Sequence, residues 1–383
     1  MFNDIFPGTR WDKFIKQICS KLQFESVLIT GLPQVGLTSF LRNIEQRYDE
    51  IIKNDKTNII YFEIFSNRIQ PSHLDKKIAE LVRYKLKFPR YLDNLNTEEI
   101  MYEITQRGER LLIITNRFQY LRSHHSSLEY LKMLRAIDPF KIRFLLGSDI
   151  SFLTNVDSFA PAGVLASANA FVLPTLTHEE TSETFKRYKK LYNWKVPISF
   201  SKEIYELSGG VCGLVKYISK YVHDNNCKKI SENELLGNQA IFFKLKDIYD
   251  TLEDNFLIDN YSLHEAHNDI LQEIGVIDSK HSLRIGLLKN LLTSPGKKQD
   301  KSIYRILSVQ ELKIFEFLNE RPDHIFSLDE LSEYMWGEHV TKKYSLWALY
   351  KVISNLNKKI KKYGYRIENF KGRGYSLTKR ALT

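Results

Sequence analysis

Between Gly31 and Ser39 the chain reads GLPQVGLTS, two glycines five positions apart followed by two hydroxyl residues. Residues of these types at this spacing let a loop wrap its backbone N–H groups around phosphate oxygens at the start of a helix. A loop that turns over a nucleotide also needs a lysine before the hydroxyls, to neutralise the β- and γ-phosphates, while the hydroxyl holds magnesium. Gly31, Gly36, Thr38 and Ser39 are present, but Leu37 stands in the lysine's place. A hydrogen bond to a charged group is worth about 1.5–3 kcal/mol, and Leu37 supplies none of it. The second half of such a site is a buried strand ending in two acids, one ordering magnesium and one positioning water. GERLLIITNRFQYL, from Gly108, has the strand profile, yet Thr115 and Asn116 occupy the acid positions. Neutral oxygens hold a hard cation poorly without a carboxylate. These losses predict a nucleotide-type fold with no hydrolysis, no catalytic residue, no metal, and no cofactor beyond weak ATP or ADP contact through backbone amides.

A second set of residues suits a polyanion. Positions 342 to 380 hold twelve Lys or Arg against one acid, Glu368. Leu349, Ile353, Leu356 and Ile360 recur at three- and four-residue steps and predict a helix with one packed stripe. Lys351, Ser354, Asn355 and Lys358 fall off that stripe, where amide, hydroxyl and ammonium groups can meet base edges and phosphates in a major groove. YRIENFKGRGYSL follows as two short strands and a turn, with Gly372 and Gly374 flanking Arg373 at the tip. The candidate interface is Lys342, Lys343, Trp347, Tyr350, Lys351, Ser354, Asn355, Lys358 and Lys359 on the helix side, with Lys371, Arg373 and Tyr375 on the hairpin.

The elements that must position these groups fit a chain of several domains. At 383 residues with 43% hydrophobic and 13% aromatic content, the sequence can build two or three cores. Eighteen basic and ten acidic residues beyond position 296 carry +8 of the net charge of +10, so the polyanion-binding character is local. SPGKKQDK, from Ser294, mixes Pro, Gly and charge without apolar pattern and reads as a linker. Cys19, Cys212 and Cys227 lack metal-ligand spacing and read as ordinary thiols in a reducing cytoplasm. Neither a signal peptide nor an apolar run long enough for a membrane is expected. His124, His125 and Arg117 beside the acid-free strand read as solvated rather than catalytic.

Two resemblances sharpen these readings. The stretch ILSVQELKIFEFLNERPDHIFSLDELSEYMWGEHV, with the helix and hairpin after it, resembles the effector domain of OmpR/PhoB-type winged-helix transcription regulators. The resemblance spans about 303–380 and rests on the first helix from Ser308, the SLDEL start of the second, Trp336-Gly337, the recognition helix and the GRGYSL wing. It implies double-stranded DNA as partner. Asn355 and Asn357 stand where that family carries arginines, and Trp347 aligns with the Arg that opens its recognition helix. Phosphate grip is therefore expected to fall to Lys358, Lys359, Lys361, Lys362 and the wing, and the N-terminal platform to shrink to SIYRIL.

Residues 1–235 resemble the STAND and AAA+ class of P-loop NTPases. FPGTRW, the eroded loop, the eroded strand followed by FQYL, KIRFLLGSDI, FVLPTLTHEE and ELSGGVCGLVKYISKYV carry the likeness, although Val211-Cys212-Gly213 departs from the family's Gly-x-Pro. Residues 238–294 are expected to form a small winged-helix-like domain, with a turn at Ser279-Lys280. The fold class is α/β: a P-loop NTPase-like parallel sheet with helical lid, followed by winged-helix domains. The implied protein is a DNA-binding regulator or adaptor on a catalytically dead scaffold, in transcription control, a mobile element or phage defence, with a protein partner supplying activity or a homo-oligomer. An ATP-dependent oligomeric switch, with Arg42 or Glu45 replacing the lost groups, and a replication or transposition ATPase-like subunit are the alternatives.

Overall fold

The computed structural model describes residues 8–53, 57–64, 70–86, 95–122, 124–154, 170–255, 257–259, 262–263, 265–293, 307–320, 324–336, 346–370 and 373–379. The chain divides into two compact units, 1–293 and 294–383.

The first unit is built on five parallel strands, β1 (Val27–Gly31), β2 (Thr57–Glu63), β3 (Arg110–Asn116), β4 (Ile142–Asp149) and β5 (Ala170–Val172), in the order β2-β3-β4-β1-β5. Continuous apolar runs such as VLITG and LLIIT suit strands covered on both faces, and β1 is buried at every residue. Alternation along the strands sends side chains to two separate cores. Leu112 and Ile114 join the core with α1 (Thr9–Leu22) and α2 (Leu37–Ile51), whereas Leu111 and Ile113 join the one with α3 (Pro71–Leu86), α4 (Thr97–Gln106) and α5 (His125–Ile137). The carboxyl ends of β1, β3 and β4 open onto one crevice, the place where ligands bind in open sheets of this kind.

After a short helix α6 (Ser151–Thr154) and β5 come the lid helices α7 (His178–Tyr192), α8 (Phe200–Ser208) and α9 (Cys212–Asp224). Thr177 and Glu180 form a capping box that fixes the start of α7. After α10 (Glu232–Gly237), the segment expected as a separate small domain over 238–294 provides α11 (Gln239–Asp254), then the antiparallel two-residue strands β6 (Ile258–Asp259) and β7 (Ser262–Leu263), α12 (Asn268–Glu273) and α13 (Gly286–Thr293). Its Ile241, Leu245, Ile248, Leu252, Leu271 and Ile274 belong to the same core as the lid and α2. This segment therefore shares its apolar core with the first unit instead of closing one of its own. The turn at 279–280 is there, closed by an Ile277–Leu283 bridge.

Among its described residues the second unit has the α-helices α14 (Val309–Glu320), α15 (Leu328–Trp336) and α16 (Leu346–Ile360), and an antiparallel pair, β8 (Tyr365–Phe370) and β9 (Gly374–Lys379). Leu349, Ile353, Leu356 and Ile360 are all buried, as are Leu312, Phe315, Leu318, Leu331 and Ile367 on α14, α15 and β8, the elements that contact α16. Ser308 with Glu311 and Ser327 with Glu330 form reciprocal caps at the starts of α14 and α15. Phe326 pairs with Tyr375 as a third, one-residue strand. Gly374 permits this, at φ 135 and with a Cβ there placed 1.9 Å from the Phe326 carbonyl oxygen. The SPGKKQDK linker and the SIYRI portion of the platform lie outside the described residues. Among the described residues no helix is long and apolar enough to cross a membrane.

Candidate functional site

The crevice of the first unit is a cleft of about 1250 Å³, lined by Gly31, Gly36, Leu37, Thr38, Ser39 and Asn116 and by residues of the lid. Gly36 sits in the left-handed region at φ 104 and ends the loop where α2 begins, a backbone conformation that favours glycine. Leu37, half-buried, packs against the α1/α2 core. The Thr38 hydroxyl, the group that would hold magnesium, accepts a 2.8 Å hydrogen bond from the Asn116 amide. Asn116 Oδ1 in turn accepts from the Arg117 N–H at 2.8 Å. The pair is neutral and internally satisfied.

The strand places Thr115 elsewhere. One residue before Asn116, its side chain takes the opposite face of β3, on the α3/α4/α5 side, and is fully buried. The sequence reading gave Thr115 and Asn116 the two acid positions of one site, one ordering magnesium and one positioning water; strand alternation leaves Asn116 alone beside Thr38. Arg42 and Glu45, considered as substitutes for the missing groups, pair with one another at 2.8 Å, and the Arg42 guanidinium lies 3.3 Å from the Tyr61 ring centre. Arg117 approaches Glu63 at 3.6 Å.

Two features of the cleft are not legible in the loop motif. Gln34, at the loop's apex, accepts from the Gly213 N–H at 2.8 Å and donates from Nε2 to Asp247 at 2.7 Å. The loop is thus tied to the starts of the lid helix α9 and to α11. Asp149, at the end of β4 in register with Gly31, also lines the cleft. Burial raises its carboxyl above the usual range, against the opposing bond from the Ser151 N–H at 2.9 Å. Cys212, also lining the cleft, and Cys19 are buried, and burial pushes both thiols up to about 12, which keeps them protonated and unreactive at neutral pH.

In the second unit α16 presents Trp347, Tyr350, Lys351, Ser354, Asn355 and Lys358 along one exposed face, with the Lys351 ammonium 5.0 Å from the Trp347 ring centre. Arg373 is exposed at the hairpin turn, where its N–H donates to the Phe370 carbonyl at 2.8 Å. Three of the candidate residues, Lys342, Lys343 and Lys371, lie outside the described residues. Lys359 is held by Glu311 at 2.7 Å. Burial works against the Glu311 charge, but the bonds from Lys359 and Ser308 prevail and hold its carboxyl below the usual range. Tyr375 is buried, its backbone committed to Phe326. Asn357 faces inward: its amide donates to the Ile367 carbonyl at 3.0 Å and accepts from the Ile367 N–H at 2.8 Å. Of the two asparagines standing in arginine positions, one clamps the hairpin and the other is exposed.

The first unit is a five-stranded parallel sheet between helices, with a glycine loop joining β1 to α2, and the second is a winged helix. Residues 305–377 match the family model described as "Transcriptional regulatory protein, C terminal". No curated protein matches the chain. Among solved structures, it is similar to a Walker-type ATPase of Pyrococcus abyssi, at 16% identity over 99% of this chain and 97% of that one, TM-score 0.46. It is also similar to the Aeropyrum pernix ORC1 protein in complex with DNA (11% identity, 99% and 91% covered, TM-score 0.43) and to the Thermotoga maritima RuvB Holliday junction branch migration motor (14%, 99% and 96%, 0.36).

Proposed function

We propose that this protein is a DNA-binding regulator or adaptor acting in transcription control, whose P-loop unit is a scaffold without ATP turnover. The observation that carries the reading is the exposed face of α16, which combines cationic, amide and hydroxyl groups on a helix whose other face is buried. The match of residues 305–377 supports it. Trp347, Tyr350, Ser354 and Asn355 would face bases, and Lys351, Lys358 and Arg373 phosphates. Neutralising about five to eight phosphates makes binding fall steeply with salt. Titrating the whole chain against duplex DNA at several salt concentrations tests this, and absence of binding at low salt sinks it.

For the scaffold, Leu37 and the neutral Thr38–Asn116 pair support a cleft whose loop and strand-end positions supply neither the phosphate cation nor a carboxylate beside Thr38. Purified protein is expected to show no magnesium-dependent ATP hydrolysis. One observation favours the second reading, an ATP-dependent switch: Asp149 is a carboxylate lining the same cleft. Turnover that disappears in both Thr38→Ala and Asp149→Asn would put that reading first. A protein partner supplying activity is part of the adaptor proposal, and a pulldown from cells addresses it.

A further inference from the structure

Trp347 is 68% and Tyr350 42% exposed, two large aromatic rings left in water on a helix whose other side is fully packed. Lys351 lies over the Trp347 ring rather than extending alone. No arginine occurs between Leu346 and Ile360, and the second amide of the helix, Asn357, is consumed by the Ile367 backbone. What remains for base contact is one exposed amide, Asn355, one exposed hydroxyl residue, Ser354, and the two rings.

Major-groove edges differ in what they demand. Guanine is met by Arg or Lys on O6 and N7, adenine by an Asn or Gln amide on N6 and N7, and thymine by apolar contact with its methyl group. The exposed face has the adenine reader and the methyl contacts; it has no arginine, and of its two lysines Lys351 lies over the Trp347 ring. We infer that α16 reads A·T pairs, Asn355 bonding adenine and Trp347 with Tyr350 covering thymine methyls. This rests on the DNA-binding reading above. Lys351 steadies the indole by a cation–π contact, and Lys358, one turn beyond Ser354, is left for phosphate.

The test is selection of bound duplexes from a random library with the whole chain, followed by replacement of thymine by deoxyuridine in the selected site. Deoxyuridine keeps every hydrogen-bonding group and removes only the methyl. An A·T-centred site is expected, with about fourfold weaker binding for each contacted methyl removed. Trp347→Ala should abolish the penalty at the thymine that the indole covers, and Asn355→Ala should lower adenine-over-guanine discrimination by about tenfold at one position. A G·C-centred site, or deoxyuridine bound as well as thymine by the unaltered protein, overturns the inference while leaving DNA binding intact. Failure to bind any duplex overturns both. Full DNA affinity and unchanged thymine preference in Trp347→Ala would mark the indole as a protein-docking residue instead.

Discussion

The cleft of the first unit and the exposed helix α16 each hold neutral residues at positions where the sequence resemblances call for charged ones, and those residues end differently. In the cleft the substitute closes on its neighbour: Asn116 bonds Thr38 and the Arg117 backbone, and Leu37 packs against the core. On α16 the substitutes part company, Asn357 turning in to clamp Ile367 and Asn355 remaining exposed. An amide is self-complementary, with both donor and acceptor, so it can mend a backbone or read a base. Which it does depends on direction alone.

The largest test of that contrast is stability. Asn357→Ala removes two hydrogen bonds and strands an N–H and a carbonyl beside buried Ile367, and is expected to cost about 2–3 kcal/mol in denaturant unfolding. Asn355→Ala, on the exposed face, should stay within about 0.5 kcal/mol of the parent. Equal losses would break the comparison.

The cleft offers the next test. Leu37→Lys with Asn116→Asp restores the phosphate cation and the acid beside Thr38 without placing a charge at buried Thr115. Calorimetry should find magnesium-dependent nucleotide affinity raised about tenfold or more, as one charge-assisted bond implies. Affinity unchanged by magnesium would mean that the Gln34 ties, not the missing charges, close the site.

The smallest effect concerns Glu311. Its carboxyl is held below its unfolded value, so its contribution is full above about pH 4.3 and is lost as pH falls through the lower folded value. Unfolding midpoints of the second unit taken from about pH 6 to 3 should drop, and Glu311→Gln should flatten part of that slope at a cost of about 1–2 kcal/mol near neutrality. An unchanged slope would show that Lys359 is not anchored by this contact.

Much of this was legible in the sequence. Spacing gave the buried stripe of α16, because helical period alone decides which of its residues pack. The glycine spacing gave the loop between β1 and α2. Face assignments on neighbouring residues were harder: Thr115 and Asn116 differ by one strand position, and only the neighbours Leu112 and Ile114 reveal which parity meets α2. Asn357 lies between Ile353 and Ile360 on the helix surface, a hint that it faces inward, but its partner Ile367 belongs to a different element. The ties from Gln34 to Asp247 and from Lys359 to Glu311 join residues far apart in the chain, and no local pattern encodes them.

The Asn357 clamp also sets a distance. Because one side chain grips both polar groups of Ile367, α16 cannot roll or slide against β8 without losing them, and Arg373, bonded through its N–H to Phe370 at the end of that strand, moves with the helix. On the proposed reading, bases met by α16 and a phosphate met by Arg373 keep a constant separation along the duplex. A single base pair inserted between them shifts one contact by about 3.4 Å and a tenth of a turn. The protein would therefore measure its target as well as read it, tolerating sequence changes between the two contacts better than changes in length.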